Sequence, residues 1–249
     1  MTAHSAGASA RRRARELRRA EIARQHRQGL PLFAGLLLVD LILIPTCASS
    51  SGLVRLAVLG VVFGGPVLVL RRVYRPGPDV IRWRHGAEGE HRTARLLRPL
   101  SRRGWTVLHD RALPATSANA DHLVLLPDGR GGVAIDTKHL NRRGIVTTTR
   151  DGAGLRCAGR SYPDMLTGAR RIATRVSDVL GVPVAPLIVV HGARVPHGRI
   201  RLDGLTIVSA RQLRRELRSI PYTPDRQRAA ALAARARQKL PPHTKESTR

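Results

Sequence analysis

Aromatic side chains make up only 3% of this 249-residue chain, and Cys47 and Cys157 are its two cysteines. So few rings exclude a single-strand nucleic-acid binder built on stacking platforms. Two cysteines can form neither a disulfide framework nor a zinc cluster, which argues against a small secreted scaffold. None of the ten histidines sits in an H-E-x-x-H or Cys/His spacing that would hold zinc. There is no Walker-type glycine loop, so neither an ATPase nor a nucleotide cofactor is expected. Acid is also scarce: 17 Asp and Glu oppose 44 Lys and Arg, for a formal net charge of +27. Among the basic residues, only Lys138, Lys239 and Lys245 are lysine. A lysine inside an ordered apolar segment therefore stands out.

Against these absences, hydrophobic residues reach 42%, a normal globular share. The charge points to nucleic acid, anionic lipid, or both as partners. Residues 1–29 form a polar, basic tail, in which Arg11, Arg12, Arg13, Arg15, Arg18, Arg19, Arg24 and Arg27 face only Glu16 and Glu21. Two apolar runs follow, 30–48 and 53–70, split by an uncharged Ser/Gly turn and closed by Arg71, Arg72 and Arg75. Each has the roughly 18–20 residues that a helix needs to cross a bilayer core, and neither shows a polar face. A cleaved signal peptide fits poorly, because of the long leading region and Asp40 within the apolar run. Arg55 is placed to reach the interface, and an Asp40–Arg55 pairing between the spans is conceivable. With arginine crowding both outer ends, the positive-inside rule places both termini at the cytoplasmic face of the cell membrane. The basic tail suits anionic membrane lipid.

The globular part runs over 79–240, after an Arg-Pro-Gly-Pro breaker, with 241–249 as a C-terminal tail. Its pattern predicts a helix over 88–100 and a strand over 105–109. A hairpin of 121–126 with 132–139 follows, then a strand over 145–149 and a helix from Pro163 to about Leu180. Buried strands are expected over 184–190 and 205–208, with helices capped by Ser209 and by Thr223. Mixed strands and helices of this length indicate an α/β domain around a central sheet.

Four residues carry the chemistry. If Asp128-Gly129 turns the hairpin, cross-strand partners sum to 257 and Asp121 faces Asp136. Period-2 alternation then puts Lys138 on the same face. A bulge at Gly131-Gly132 would shift that register by one. Facing carboxylates repel unless a cation lies between them, and a hard divalent ion such as Mg2+ (or Mn2+) suits oxygen ligands. The Thr137 backbone carbonyl offers a further oxygen. Helical spacing sets Glu90 on the inward face with Ala94, Leu97 and Leu100, whereas Glu88 falls on the solvated face. A buried carboxylate needs a partner. Glu90, Asp121, Asp136 and Lys138 are thus the candidate catalytic residues. Glu90, Asp121, Asp136 and the Thr137 carbonyl are the candidate metal ligands. His122 and His139 are read as partly exposed strand residues beside the site.

These segments resemble a family. Gly86 to Glu90 (G-x-x-G-E), then GWTVLHD, ADHLVLL and GGVAIDTK, with a strand after Gly144, are similar to the NERD (nuclease-related) domain. That domain is itself similar to the restriction-endonuclease-like superfamily. The resemblance covers about residues 84–210. It implies a restriction-endonuclease-like mixed β-sheet flanked by helices, preceded here by two transmembrane helices. It also places Glu90, Asp121, Asp136 and Lys138 in the superfamily's acidic and lysine positions. Two departures stand out. Family members often carry Asn-Pro-x-x-Gln where this chain has Tyr162-Pro163-Asp164-Met165-Leu166, and Asp136 stands where Glu is common.

The expected function is a membrane-anchored, divalent-metal-dependent nuclease facing the cytoplasm, with DNA favoured over RNA. The alternative is a non-catalytic, membrane-tethered module that binds nucleic acid or protein on the same fold.

Overall fold

Runs of β-branched and aliphatic residues between Gly and Pro breaks fold into strands, and the segments with 3.6-residue spacing fold into helices around them. The computed structural model describes residues 6–49, 51–140, 142–149 and 154–243. The chain divides into two compact units. One joins the N-terminal residues through Arg11 to everything from Arg84 onward, and the other is Arg12–Trp83.

The Arg12–Trp83 unit is made chiefly of two helices. Helix α1 covers Ala8–Ser49, so the basic tail and the first apolar run are one continuous helix, and α2 covers Gly52–Val73. Both are long and apolar enough to cross a membrane. Leu37, Leu41, Leu53, Phe63 and Leu68 point outward with half or more of their surface exposed, a display suited to lipid rather than water. The serine turn includes position 50, which lies outside the described residues. Asp40 is buried and its Oδ1 has no hydrogen-bond partner. No ion pair between Asp40 and Arg55 forms among the described residues. At the base of the hairpin, the Gly77 N–H donates to Glu21 Oε1 (2.7 Å) and Arg18 Nη2 donates to the Tyr74 carbonyl (2.7 Å).

The larger unit is mixed α/β, as the sequence implies. Helix α3 (Pro78–Ser101) leads into β1 (Thr106–Ala112), β2 (Asn119–Leu125) and β3 (Gly132–His139). After β4 (Val146–Thr148), β5 (Leu155–Cys157) and β6 (Arg160–Tyr162) come α4 (Asp164–Leu180) and β7 (Val184–His191). Then follow β8 (Arg199–Leu202), β9 (Leu205–Ser209), α5 (Leu213–Arg218) and α6 (Arg226–Lys239). Six strands form one sheet in the order β1-β2-β3-β7-β9-β8, while β4, β5 and β6 form a separate small sheet. The β3–β7 and β7–β9 pairs are parallel and the others antiparallel. The central strands are covered on both faces, which is why β3 and β7 read as nearly unbroken apolar runs. Leu97 and Leu100 of α3 pack with Val124, Val133, Ile135 and Val189 on one face. Leu123, Leu125 and Ala134 pack with Ala173, Val176 and Leu180 of α4 and Leu232 of α6 on the other.

Several boundaries differ from the sequence reading. Helix α3 starts ten residues before the expected Glu88, because Pro78 opens it from the first-turn position that suits proline. Helix α5 begins after Gln212 instead of Ser209, and Asp225, not Thr223, caps α6 by accepting the Arg228 N–H at 2.9 Å. Strands β5, β6 and β8 have no counterpart in the sequence pattern, since three or four residues are too short to show a period. Residues 241–243 pair with the end of β1: the Pro241 carbonyl accepts from the Ala112 N–H at 2.9 Å, and the His243 N–H donates to the Asp110 carbonyl at 2.8 Å. The rest of the expected tail, 244–249, lies outside the described residues.

Candidate active site

The site rests on the β2–β3 hairpin. Its pairs, His122 with Ile135, Leu123 with Ala134, Val124 with Val133 and Leu125 with Gly132, all sum to 257. The turn is wider than two residues, since Leu126 N–H donates to the Gly131 carbonyl (3.0 Å) and Gly129 N–H to that of Leu126 (3.1 Å). It remains centred on Asp128-Gly129, so the register is unchanged and no bulge shifts it. Gly129 has φ +63°, and a Cβ there would lie 2.5 Å from the Arg228 backbone, so α6 packs on the turn where only glycine fits.

That register brings the β2 and β3 acids together. Asp121 Oδ2 accepts the Thr137 N–H at 2.9 Å, and Lys138 Nζ lies 2.9 Å from Asp136 Oδ1. Glu90 comes in from α3, and its Oε2 is buried without a hydrogen-bond partner. Gly89 allows this approach, because a Cβ there would lie 3.3 Å from Thr137 Cγ2 on β3. Glu88 is exposed and ion-paired with Arg92, an ordinary surface acid.

The electrostatics reflect burial first and crowded negative charge second. Burial, then Asp110 and Asp136, push the Glu90 carboxyl up to about 7, with Arg11 and Lys138 pulling the other way. Burial, then Glu90 and Asp136, hold Asp121 well above the usual carboxylate range, despite the Thr137 N–H and Lys138. Burial disfavours the Lys138 ammonium, yet Asp136, Asp121 and Glu90 outweigh it and raise its pKa. Lys138 is therefore firmly protonated at neutral pH.

This chemistry fits a hard divalent cation. The donors are carboxylate oxygens, one of them orphaned, and each acid makes its neighbour harder to ionise, which a bound cation would reverse. Among the described residues, however, no three His, Cys, Asp or Glu side chains stand close enough together to hold a metal ion as they are.

Residues 85–191 match the family model of the nuclease-related domain, NERD. This stretch is similar to the NERD domain. It starts five residues before Glu90 and ends at His191, the last residue of β7, so it holds Glu90, Asp121, Asp136 and Lys138 together. No curated protein matches the chain, and no solved structure does. At the position where NERD domains often carry Gln, Leu166 is fully buried in an apolar cluster with Ile188 and Val190, so it brings no polar group to the site.

The histidines correct the sequence reading. His122 is fully buried, not partly exposed, and it faces away from Asp121 because adjacent strand residues point to opposite faces. Its Nδ1 lies 2.8 Å from Nδ1 of His109, a contact that requires one ring to donate and the other to accept. Burial pushes His109 down to about 4 and holds His122 well below the usual imidazole range, so both rings are neutral. His139 is half-buried and stacks on His85 at 5.3 Å. Behind the site, His191 Nε2, Thr93 Oγ1 and Thr137 Oγ1 form a buried chain at 2.8 and 3.1 Å that ties β7, α3 and β3 together.

The sequence reading missed Asp110. It is buried on β1 with φ +50°, and the β1–β2 register sets it opposite Asp121. Its Oδ1 accepts from Asn119 Nδ2 and its Oδ2 from the Ser9 N–H, each at 2.8 Å. Extending the register argument one strand further would have found it. The irregular link over 113–118 hid where β1 and β2 pair.

Proposed function

We propose that this protein is a membrane-anchored nuclease that hydrolyses phosphodiester bonds at the cytoplasmic face, using a divalent metal ion. The observation that carries the reading is one point of the NERD-like stretch where Asp121, Asp136 and Lys138 meet across β2 and β3 while Glu90 adds a buried, unpartnered carboxylate oxygen. Glu90, Asp121 and Asp136, with the Thr137 carbonyl, would hold Mg2+ or Mn2+. The ion would polarise the phosphoryl oxygen and lower the pKa of a bound water. Lys138, kept charged by its acids, is placed to orient the attacking water and to stabilise charge that develops on the phosphate. The stretch 79–249 carries 32 Arg and Lys against 14 Asp and Glu, a charge suited to a nucleic-acid backbone, with DNA favoured over RNA. The arginines of residues 11–27 suit anionic lipid, at about 1 kcal/mol for each well-placed basic residue.

A second reading, a non-catalytic tethered module for nucleic acid or protein, is favoured by two observations. The acids are not gathered into a three-ligand group, and Leu166 replaces a polar residue. The test uses the full chain in lipid nanodiscs with DNA and RNA, with and without Mg2+ or Mn2+. Cleavage that is abolished by Lys138→Ala and Asp136→Ala and kept by Glu88→Ala supports the nuclease. Salt-sensitive binding without cleavage in any metal supports the module.

A further inference from the structure

The β2–β3 turn, at the opposite end of the hairpin from the acids, anchors two arginine-bearing segments. Gly104, at φ +83°, turns the chain after α3 so closely onto Pro127 that a Cβ would lie 3.6 Å from the proline ring. From the other side, the Asp225 N–H donates to the Pro127 carbonyl at 3.0 Å, and the Arg228 backbone of α6 packs on Gly129. Between them runs a groove of about 550 Å³. Arg102 and Arg103 line it from the end of α3, and Arg226 and Arg237 from α6, with Ala230 and Ala233 between them. No carboxylate lines this groove. All four arginines are exposed, and among the described residues none of their side chains makes an ion pair or hydrogen bond. Arg228, by contrast, is paired with Asp225.

The spacing of the charges selects the partner. Arg226 and Arg237 share one face of α6 at about 16 Å by helix rise, which suits an array of charges better than a single anion. A nucleic-acid strand offers a phosphate about every 3.4 Å along its axis. A bilayer also offers an array, but surfaces that enter lipid combine a basic face with exposed Trp, Phe or Leu. None of the exposed large hydrophobic residues lies in this groove. No aromatic ring lines it either, so the bases of a single strand would find nothing to stack on.

We propose that this groove is a second nucleic-acid site, which grips the phosphate backbone of a duplex without reading its sequence. The proposal rests on the nucleic-acid reading above and is independent of metal. Counted along α3 from Glu90 to Arg102, or along β2 from Asp121 to Pro127, the groove lies about 18–20 Å from the acids. That is about five or six base pairs, so the groove holds a duplex without touching the bond at the acids.

The experiment follows fluorescence anisotropy of labelled DNA and RNA duplexes against salt, with the full chain in phosphatidylcholine nanodiscs and excess chelator. One variant carries Arg102→Gln with Arg103→Gln, and another Arg226→Gln with Arg237→Gln. The control, Arg211→Gln with Arg214→Gln, removes the same charge at exposed positions outside the groove. Each groove pair should weaken duplex binding roughly tenfold and reduce the slope of log affinity against log salt by about two, with the control changing neither. Duplex binding that neither groove pair alters, or that all three pairs weaken alike, overturns the groove and leaves the nucleic-acid reading standing. Tighter binding of a single strand than of its duplex overturns it in the same way. Groove pairs that release phosphatidylserine vesicles but not the duplex overturn it in favour of lipid. No binding of duplex or single strand by the unaltered chain overturns both.

Discussion

Asp121 accepts the backbone N–H of Thr137 at 2.9 Å across the β2–β3 ladder, which pins a partly buried carboxylate beside Asp136 and Lys138. The Thr137 side chain points to the other face, where it donates to Thr93. One residue of β3 therefore fixes an acid on one side of the sheet and the α3 contact on the other. The site is rigid at Asp121 and strained by charge at Glu90, and the two have different consequences.

Glu90 weakens the metal-free fold. Its folded pKa of about 7 lies above the ordinary value of 4.5, so its contribution to stability is full below about pH 4.5 and is lost as pH rises through 7. Glu90→Gln should stabilise the metal-free protein at pH 8 by about 1–2 kcal/mol, raising Tm by a few degrees. It should also abolish cleavage. Thermal melts of both forms at pH 8 and pH 5 check this. An equal loss of stability at both pH values would refute it.

Two histidines act in the opposite sense. Folded His109 and His191 titrate near 4, below the ordinary 6.5, first because of burial. Their contribution is present above about pH 6.5 and is lost as pH falls through 4. His109 alone should account for about 2 kcal/mol of acid destabilisation. Urea titrations between pH 7.5 and 4.5 measure it, and His109→Asn should flatten the slope whatever it does to stability at pH 7.5.

Gly192, just after β7, packs on the backbone that follows β3. Its φ is +87°, and a Cβ would lie 2.2 Å from the Leu140 carbonyl oxygen, just after Lys138 and His139. Gly192→Ala should therefore cost about 2–4 kcal/mol by combining left-handed strain with a backbone clash. Denaturant unfolding reads this directly. A cost below 0.5 kcal/mol would mean that β7 ends differently.

The hairpin orientation is open to chemical labelling. In a Cys47→Ser, Cys157→Ala background, Ser51→Cys should react with an impermeant maleimide on intact cells, because it lies in the turn between the apolar helices. Ser219→Cys should react only after permeabilisation. The reverse pattern would invert the cytoplasmic assignment.

Much of this protein could be read from its sequence, for local reasons. Apolar runs long enough to cross a bilayer, the alternation along β2 and β3, and a turn centred on Asp128-Gly129 fix two helices, a register and a shared face for Asp121, Asp136 and Lys138. Helical spacing separates buried Glu90 from exposed Glu88 in the same way. Tertiary structure decided what depends on contacts between distant segments. It buried His122 against His109, set Asp110 opposite Asp121 across an irregular loop, and laid Gly7 and Ser9 on Ala87 and Asp110, distant in the sequence. Periodicity reports which way a side chain faces within its own element. Only packing decides how deeply it is buried and which distant charge it meets, and in this site burial first, then those charges, raise the proton affinity of Glu90.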